Sequence, residues 1–225
     1  ARYPAGGLAG REVVFDLILR IDRFRVTPIS SRFNTVTALR HPNVAGLFYP
    51  ADAHTLAAEV RTFLRGGRVP AELAGAPMPK ALIAPHAGYV YSGPVAGSAY
   101  AQLLAGAGAI RRVLLLGPSH RLAFPGLVYS EVEAFLTPLG PVAVDQEAYQ
   151  TLTDLPQVRP FEAPFKGEHC LEVQLPFLQS ILDDFLLVPF LVGEATPTEV
   201  AEVLERLWGG NETLIVVSSD LSHYL

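Results

Sequence analysis

The feature that most constrains the fold is a set of short, unbroken apolar runs, each stopped by a loop of Pro, Gly or Ser. Ala81-Leu82-Ile83-Ala84 runs into Pro85-His86-Ala87-Gly88, and Val113 to Leu116 runs into Gly117-Pro118-Ser119-His120. Leu214 to Val217 runs into Ser218-Ser219-Asp220-Leu221-Ser222-His223, and Leu186 to Val192 ends at Gly193-Glu194. Short apolar runs bounded by such breakers read as buried strands. Between them lie stretches of helical spacing. Asp52 is placed to cap a helix through Leu56, Val60 and Leu64 that Gly66 and Gly67 end, and Ser92-Gly93-Pro94 can start one through Val95, Ala99 and Leu103. Glu168 to Leu182 is spaced as a helix that Pro176 should kink or interrupt, and Thr198 to Leu207 is another. Leu127 to Ser130 and Phe135 to Val144 read as shorter strands, with Asp145 capping a helix through Leu152. Strands alternating with helices predict right-handed crossovers. The expected fold is α/β, with a mainly parallel central sheet covered by helices on both faces and strand carboxyl ends gathered at one edge.

Composition narrows the function. Hydrophobic residues make up 50% and charged residues 17% of the 225, as suits a sheet covered on both sides. A formal net charge of −5 and a pI near 5.7 leave no basic excess to neutralise phosphates, which argues against a nucleic-acid partner. Cys170 is the single cysteine, so no internal disulfide forms, and the expected location is cytoplasmic. No apolar run reaches the roughly 18 residues of a membrane span, and Ala1-Arg2-Tyr3-Pro4 lacks the layout of a signal peptide. No membrane partner is expected. Residues 1–40 have a Gly/Ala/Pro opening and a partly alternating stretch from Val13 to Val26; this extension fits a strand, a short helix or a tail. Residues 41–225 carry the regular pattern of one α/β domain.

His86, His120 and His223 each follow the end of an apolar strand, at the edge where open α/β sheets bind ligands. They stand 34 and 103 positions apart, so only the fold can bring them together. Imidazole nitrogens suit iron, copper or zinc, and a site of two histidines and an anion leaves positions open for a substrate or dioxygen. Asp220 is placed to supply an anion or to orient a neighbouring histidine. His169 is flanked by Glu168 and Glu172, and a carboxylate at close helical spacing raises an imidazole's pKa or fixes its tautomer. It fits a catalytic or orienting residue and a helix-start histidine equally well. Tyr89 and Tyr91 are expected to reach the pocket as partly exposed walls. Gly88 and Gly117 would let backbone approach closely. Glu194 fits either a further carboxylate at this edge or a solvated turn, the commoner case. His41 and His54 read as surface residues, and Cys170 as a small buried residue on a helix.

Taken in order, Val44-Ala45-Gly46-Leu47-Phe48-Tyr49-Pro50, Ala84-Pro85-His86-Ala87-Gly88-Tyr89, Leu116-Gly117-Pro118-Ser119-His120, Glu168-His169-Cys170-Leu171-Glu172-Val173-Gln174-Leu175-Pro176 and Ser218-Ser219-Asp220-Leu221-Ser222-His223 resemble the successive signatures of the Memo family. The resemblance runs from about His41 to Leu225. It implies a fold like that of the class III extradiol dioxygenases, which cleave catecholic rings with non-haem Fe(II). By motif it implies His86 and His120 as metal ligands and His223 beside the metal, as a ligand or as acid or base, with His169 near the pocket. The family's remaining ligand, cysteine in the Memo branch and glutamate in the dioxygenases, is expected after the last motif matched, beyond Leu225; Cys170 belongs to a different motif.

The function so implied is a metal-binding protein with an iron-type site, Fe2+ first and copper or zinc as alternatives, in a redox-active accessory role. Two other readings stay open: a ring-cleaving dioxygenase, and a module that binds phosphotyrosine peptides or proteins, for which Arg111, Arg112 and Arg121 lie near the second loop in sequence. The resemblance also implies radical-SAM and AMMECR-type partner proteins, besides a small-molecule or peptide ligand, and the high Ala, Pro and Leu usage fits a GC-rich prokaryotic genome.

Overall fold

In the computed structural model, residues 38–69 and 76–221 are described. A six-stranded sheet is built from β2 (Ala81–Ala84), β3 (Arg112–Pro118), β4 (Leu127–Tyr129), β7 (Val158–Pro160), β8 (Leu186–Val192) and β9 (Thr213–Ser218). Their spatial order is β2-β9-β3-β8-β4-β7. β2, β9, β3 and β8 run parallel, β4 pairs antiparallel with β8, and β7 runs parallel to β4. A smaller sheet joins β1 (Leu39–Arg40), β5 (Ala134–Thr137) and β6 (Gly140–Ala143) in the order β1-β5-β6. The expected α/β class with a mainly parallel sheet is what forms, mixed at its β4–β7 side.

The helices are α1 (Ala53–Gly66), α2 (Tyr89–Ala101), α3 (Leu175–Ile181) and α4 (Pro197–Arg206). In α1 the Asp52 carboxylate accepts the Thr55 N–H at 2.8 Å, and Leu56, Val60 and Leu64 are buried along one stripe. α4 opens with a reciprocal capping box between Thr196 and Glu199 and has Pro197 in its first turn, where the missing N–H costs nothing. α1, α2 and α3 pack on one another, whereas α4 packs against the short turn Ala148–Leu152. The helices thus flank the sheet.

Two helix boundaries differ from the sequence reading. α2 begins at Tyr89, a turn before Ser92, because Tyr91 and Ser92 already donate to Gly88 O, and Pro94 lies inside it. The carbonyl that Pro94 leaves without an N–H belongs to exposed Val90, where water can serve it. Glu168 to Leu182 is not one kinked helix. It is a turn, then the short 3-10 segment Glu172–Gln174, then α3, and Pro176 lies in the first turn of α3 rather than interrupting it. α2 earns its place by smallness: a Cβ on Gly97 would overlap the backbone of Phe63 in α1.

The interior of β3 from Val113 to Gly117 is wholly buried, as a strand covered on both faces must be. β2 alternates exposed and buried residues, in keeping with its position at the sheet edge. What matters for function is adjacency. β2, β9 and β3 are consecutive and parallel, so the loops that leave them at Pro85, Ser219 and Ser119 emerge side by side.

Candidate metal centre

His86 and His120 meet at this edge. Their ring centres are 5.1 Å apart, and His169 joins them at 5.8 Å from His86 and 5.1 Å from His120. With metal–nitrogen bonds of about 2.1 Å, imidazoles sharing one ion have ring centres roughly 5 Å apart. One nitrogen or oxygen from each of His120, Glu168 and His169 lies within 4.8 Å of the others. His223 lies outside the described residues. His41 and His54 are exposed.

Each imidazole is held from behind. Glu168, buried on the turn before α3, accepts the His120 N–H at 2.7 Å and faces His120 Nδ1 at 2.9 Å. It also accepts the N–H groups of His169 and Cys170 at 2.7 and 3.0 Å. Burial alone would raise this carboxyl; the hydrogen bonds from His120, Cys170 and His169 outweigh it and hold it at about 2. A carboxylate so held can only accept, so His120 Nδ1 carries a proton and Nε2 is the nitrogen left to face a ligand. That is the carboxylate–histidine pairing found behind metal-ligating imidazoles.

His86 is buried, and its Nδ1 lies 2.9 Å from Ser218 Oγ at the end of β9. Its Nε2 is buried and has no hydrogen-bond partner among the described residues. The nearest carboxylate oxygen is Asp220 Oδ2, 3.7 Å away and beyond hydrogen-bonding reach. Asp220 does orient the loop, as one of its sequence roles required: its Oδ1 accepts the N–H groups of His86 and Ala87 at 2.6 and 3.1 Å. Burial lowers the pKa of both His86 and His169 against the opposing pull of the carboxylates, so both rings are neutral at pH 7.

Several expectations change. Glu168 pulls the pKa of His169 up, but burial outweighs it and the net shift is down. Glu168 is spent mainly on His120 and on backbone, and Glu172 turns away to accept from Asn43 N, Val44 N and Tyr49 OH at 2.6, 3.0 and 2.6 Å. Tyr89 is core, with its hydroxyl donating to Val173 O at 2.7 Å, whereas Tyr91 is exposed. Cys170 is fully buried, its thiol is pushed up by burial, and it donates to Pro118 O at 3.0 Å. A Cβ on Gly117 would meet Cys170 Sγ at 2.6 Å, so this glycine lets the Glu168–Cys170 turn close on β3. Gly88 has no such need, because a Cβ there meets nothing nearer than 3.6 Å. Glu194 is exposed. Arg112 starts β3 and Arg111 precedes it, about 20 Å of strand from the His120 loop at about 3.3 Å per residue. Arg112 is paired there with Asp145 at 3.0 Å, and only Arg121, donating to Gly167 O at 2.8 Å, adjoins the site.

The fold and site define an α/β protein with a cluster of histidines at the carboxyl edge of its parallel strands. A family model described as Memo-like protein matches residues 40–225. A MEMO1 family protein of Archaeoglobus fulgidus is 38% identical over 193 residues, covering 83% of this chain and 69% of that one. Another, of Thermotoga neapolitana, is 38% identical over 200 residues, with 83% and 71% covered. A third, of Sulfolobus acidocaldarius, is 34% identical over 200 residues, with 83% and 70% covered. The chain belongs to the Memo-like family. Among the described residues no helix is long and apolar enough to cross a membrane.

Proposed function

We propose that this chain is a metal-binding protein in which His86 and His120 hold a divalent ion of the non-haem iron type, in a redox-active accessory role. The observation that carries the reading is the Nε2 atom of His86, a buried nitrogen without a hydrogen-bond partner among the described residues, in a ring 5.1 Å from that of His120. A buried polar atom left unpaired costs free energy, and a ligand that accepts its lone pair removes that cost.

The donor set favours iron. Among the described residues it consists of imidazoles with carboxylates close by, and Cys170 is withheld by burial and by its bond to Pro118 O. A bound ferrous ion would supply Lewis acidity and one-electron chemistry to an oxygen-bearing ligand. Glu168 fixes the His120 ring, and Asp220 fixes the backbone that carries His86. His169, neutral and partly exposed, can take a proton from a ligand held beside it. His223, to which the family resemblance gives the place of acid or base, belongs to the same proposal.

Anaerobic loading with Fe(II) followed by elemental analysis tests this. The expected result is about one iron per chain in the parent protein, with loss in His86→Ala and in His120→Ala and no loss in Cys170→Ala. A parent protein that holds no iron, copper or zinc, or a His86→Ala variant that loads as fully as the parent, overturns it. Copper or zinc bound through the same two histidines would keep the site and change the ion.

A further inference from the structure

We propose that Ser218 and Gln174 are positioning residues that lock His86 as its Nδ1–H tautomer and so keep Nε2 bare as an electron-pair donor. The inference deepens the metal-binding reading and rests on it.

Four buried side chains form a chain of hydrogen bonds in which each proton has one place to go. Tyr100 and Gln174 are fully buried, Ser218 is 1% exposed and His86 is 2% exposed, so water does not serve their polar atoms. Gln174 Nε2 lies 2.9 Å from Pro85 O and 3.4 Å from Ala84 O, and a carbonyl can only accept. The amide nitrogen is therefore on that side, and Oε1 accepts from Tyr100 OH at 2.9 Å. The same Nε2 donates to Ser218 Oγ at 2.8 Å. Ser218 Oγ in turn lies 2.6 Å from Cys170 O, again a pure acceptor, so the single hydroxyl proton is committed there. One lone pair of Ser218 Oγ remains, and it faces His86 Nδ1 at 2.9 Å. Only an N–H can satisfy it. The other tautomer would set two lone pairs against each other in a buried place.

The wiring works against the obvious competitor. With a proton on Nε2 instead, His86 could turn that N–H toward Asp220 Oδ2, now 3.7 Å away, and the ring would be spent on a structural ion pair. The chain from Tyr100 through Gln174 and Ser218 keeps the proton on the far nitrogen. It also ties the two histidines together. Cys170, whose carbonyl fixes the Ser218 hydroxyl, follows Glu168 and His169 in the turn that orients His120, and Gln174 ends the short 3-10 segment after it. One segment, Glu168 to Gln174, therefore sets the donor atom of both rings.

The test reads the tautomer directly. Long-range 1H–15N NMR on the metal-free chain should show His86 protonated at Nδ1. Ser218→Ala should move it toward the Nε2–H form and weaken Zn2+ binding, measured by competition with a chromophoric chelator, by about 10- to 100-fold. Ser218→Thr, which keeps the hydroxyl, should restore both. Ser218→Cys, which keeps the volume and weakens the acceptor, reads the same effect if the alanine variant does not fold. An unchanged tautomer and unchanged Zn2+ affinity in the folded Ser218 variants overturn the inference. If the parent chain shows the Nδ1–H form but binds no Zn2+, the relay stands and the metal-binding reading falls.

Discussion

Replacing Glu168 with Gln removes the one anion on which the turn behind the histidines is built. In the parent protein its two oxygens accept three backbone N–H groups and the His120 ring. A glutamine has a single acceptor oxygen and turns an NH2 toward the remaining donors, leaving buried N–H groups unpaired. The magnitude follows from the carboxyl's pKa, about 2 in the folded chain against an ordinary 4.5. At about 1.4 kcal/mol for each tenfold change in the proton equilibrium, that difference is worth about 3 kcal/mol of stability at neutral pH. The side chain is 3% exposed, so solvent screening takes little from this figure. For a domain of this size it corresponds to roughly 6–12 °C in Tm. The sign fixes the pH course. A carboxyl depressed by folding stabilises above its unfolded pKa of about 4.5 and loses that contribution as pH falls toward 2. Urea unfolding of parent and Glu168→Gln proteins should therefore differ by about 3 kcal/mol at pH 7 and by less than half of that at pH 3. Equal stabilities at pH 7, or a gap that stays constant down to pH 3, would show that the Glu168 charge does not hold this turn.

Other consequences follow from the same structure. Glu172→Gln should loosen the Asn43–Tyr49 loop and cost about 2–3 kcal/mol, with Tyr49→Phe costing about 1 kcal/mol; urea unfolding of the two variants and their double mutant should show non-additive losses, because Glu172 accepts from Tyr49 OH at 2.6 Å. Gly117→Ala should destabilise by about 1–3 kcal/mol and regain part of it in the Gly117→Ala/Cys170→Ala double variant, since Cys170 Sγ is the atom that the new Cβ meets at 2.6 Å. Cys170 should react with a thiol reagent only on unfolding, given its complete burial, and rapid labelling of the native chain would contradict that. Thr196→Ala should cost about 1 kcal/mol by removing the cap of α4, read as a lower urea midpoint at unchanged m.

The parts of the fold that the sequence revealed are those carried by local pattern. Apolar runs stopped by Pro, Gly and Ser located β2, β3, β8 and β9, and their parallel pairing follows from the helices between them. The reversed direction of β4 and β7 was not legible, because a run of three apolar residues such as Leu127–Tyr129 carries no sign of which way it pairs. At the site, His86 and His120 could be singled out because each follows a strand end. The pairing of Glu168 with His120 joins residues 48 positions apart, and the contact of Ser218 with His86 joins residues 132 apart. No spacing rule reaches so far, and the sequence alone pairs Glu168 with its neighbour His169 instead. Tyr89 was misplaced for a related reason. Proximity to His86 suggested a pocket wall, but α2 begins at Tyr89 and turns the ring beneath the loop, 5.2 Å from Phe177.

The most direct test of the central claim is diffraction from crystals loaded anaerobically with Fe(II), with data collected across the iron edge. One anomalous peak is expected within bonding distance of Nε2 of both His86 and His120. The absence of a peak there, or iron bound only elsewhere on the chain, would contradict the claim.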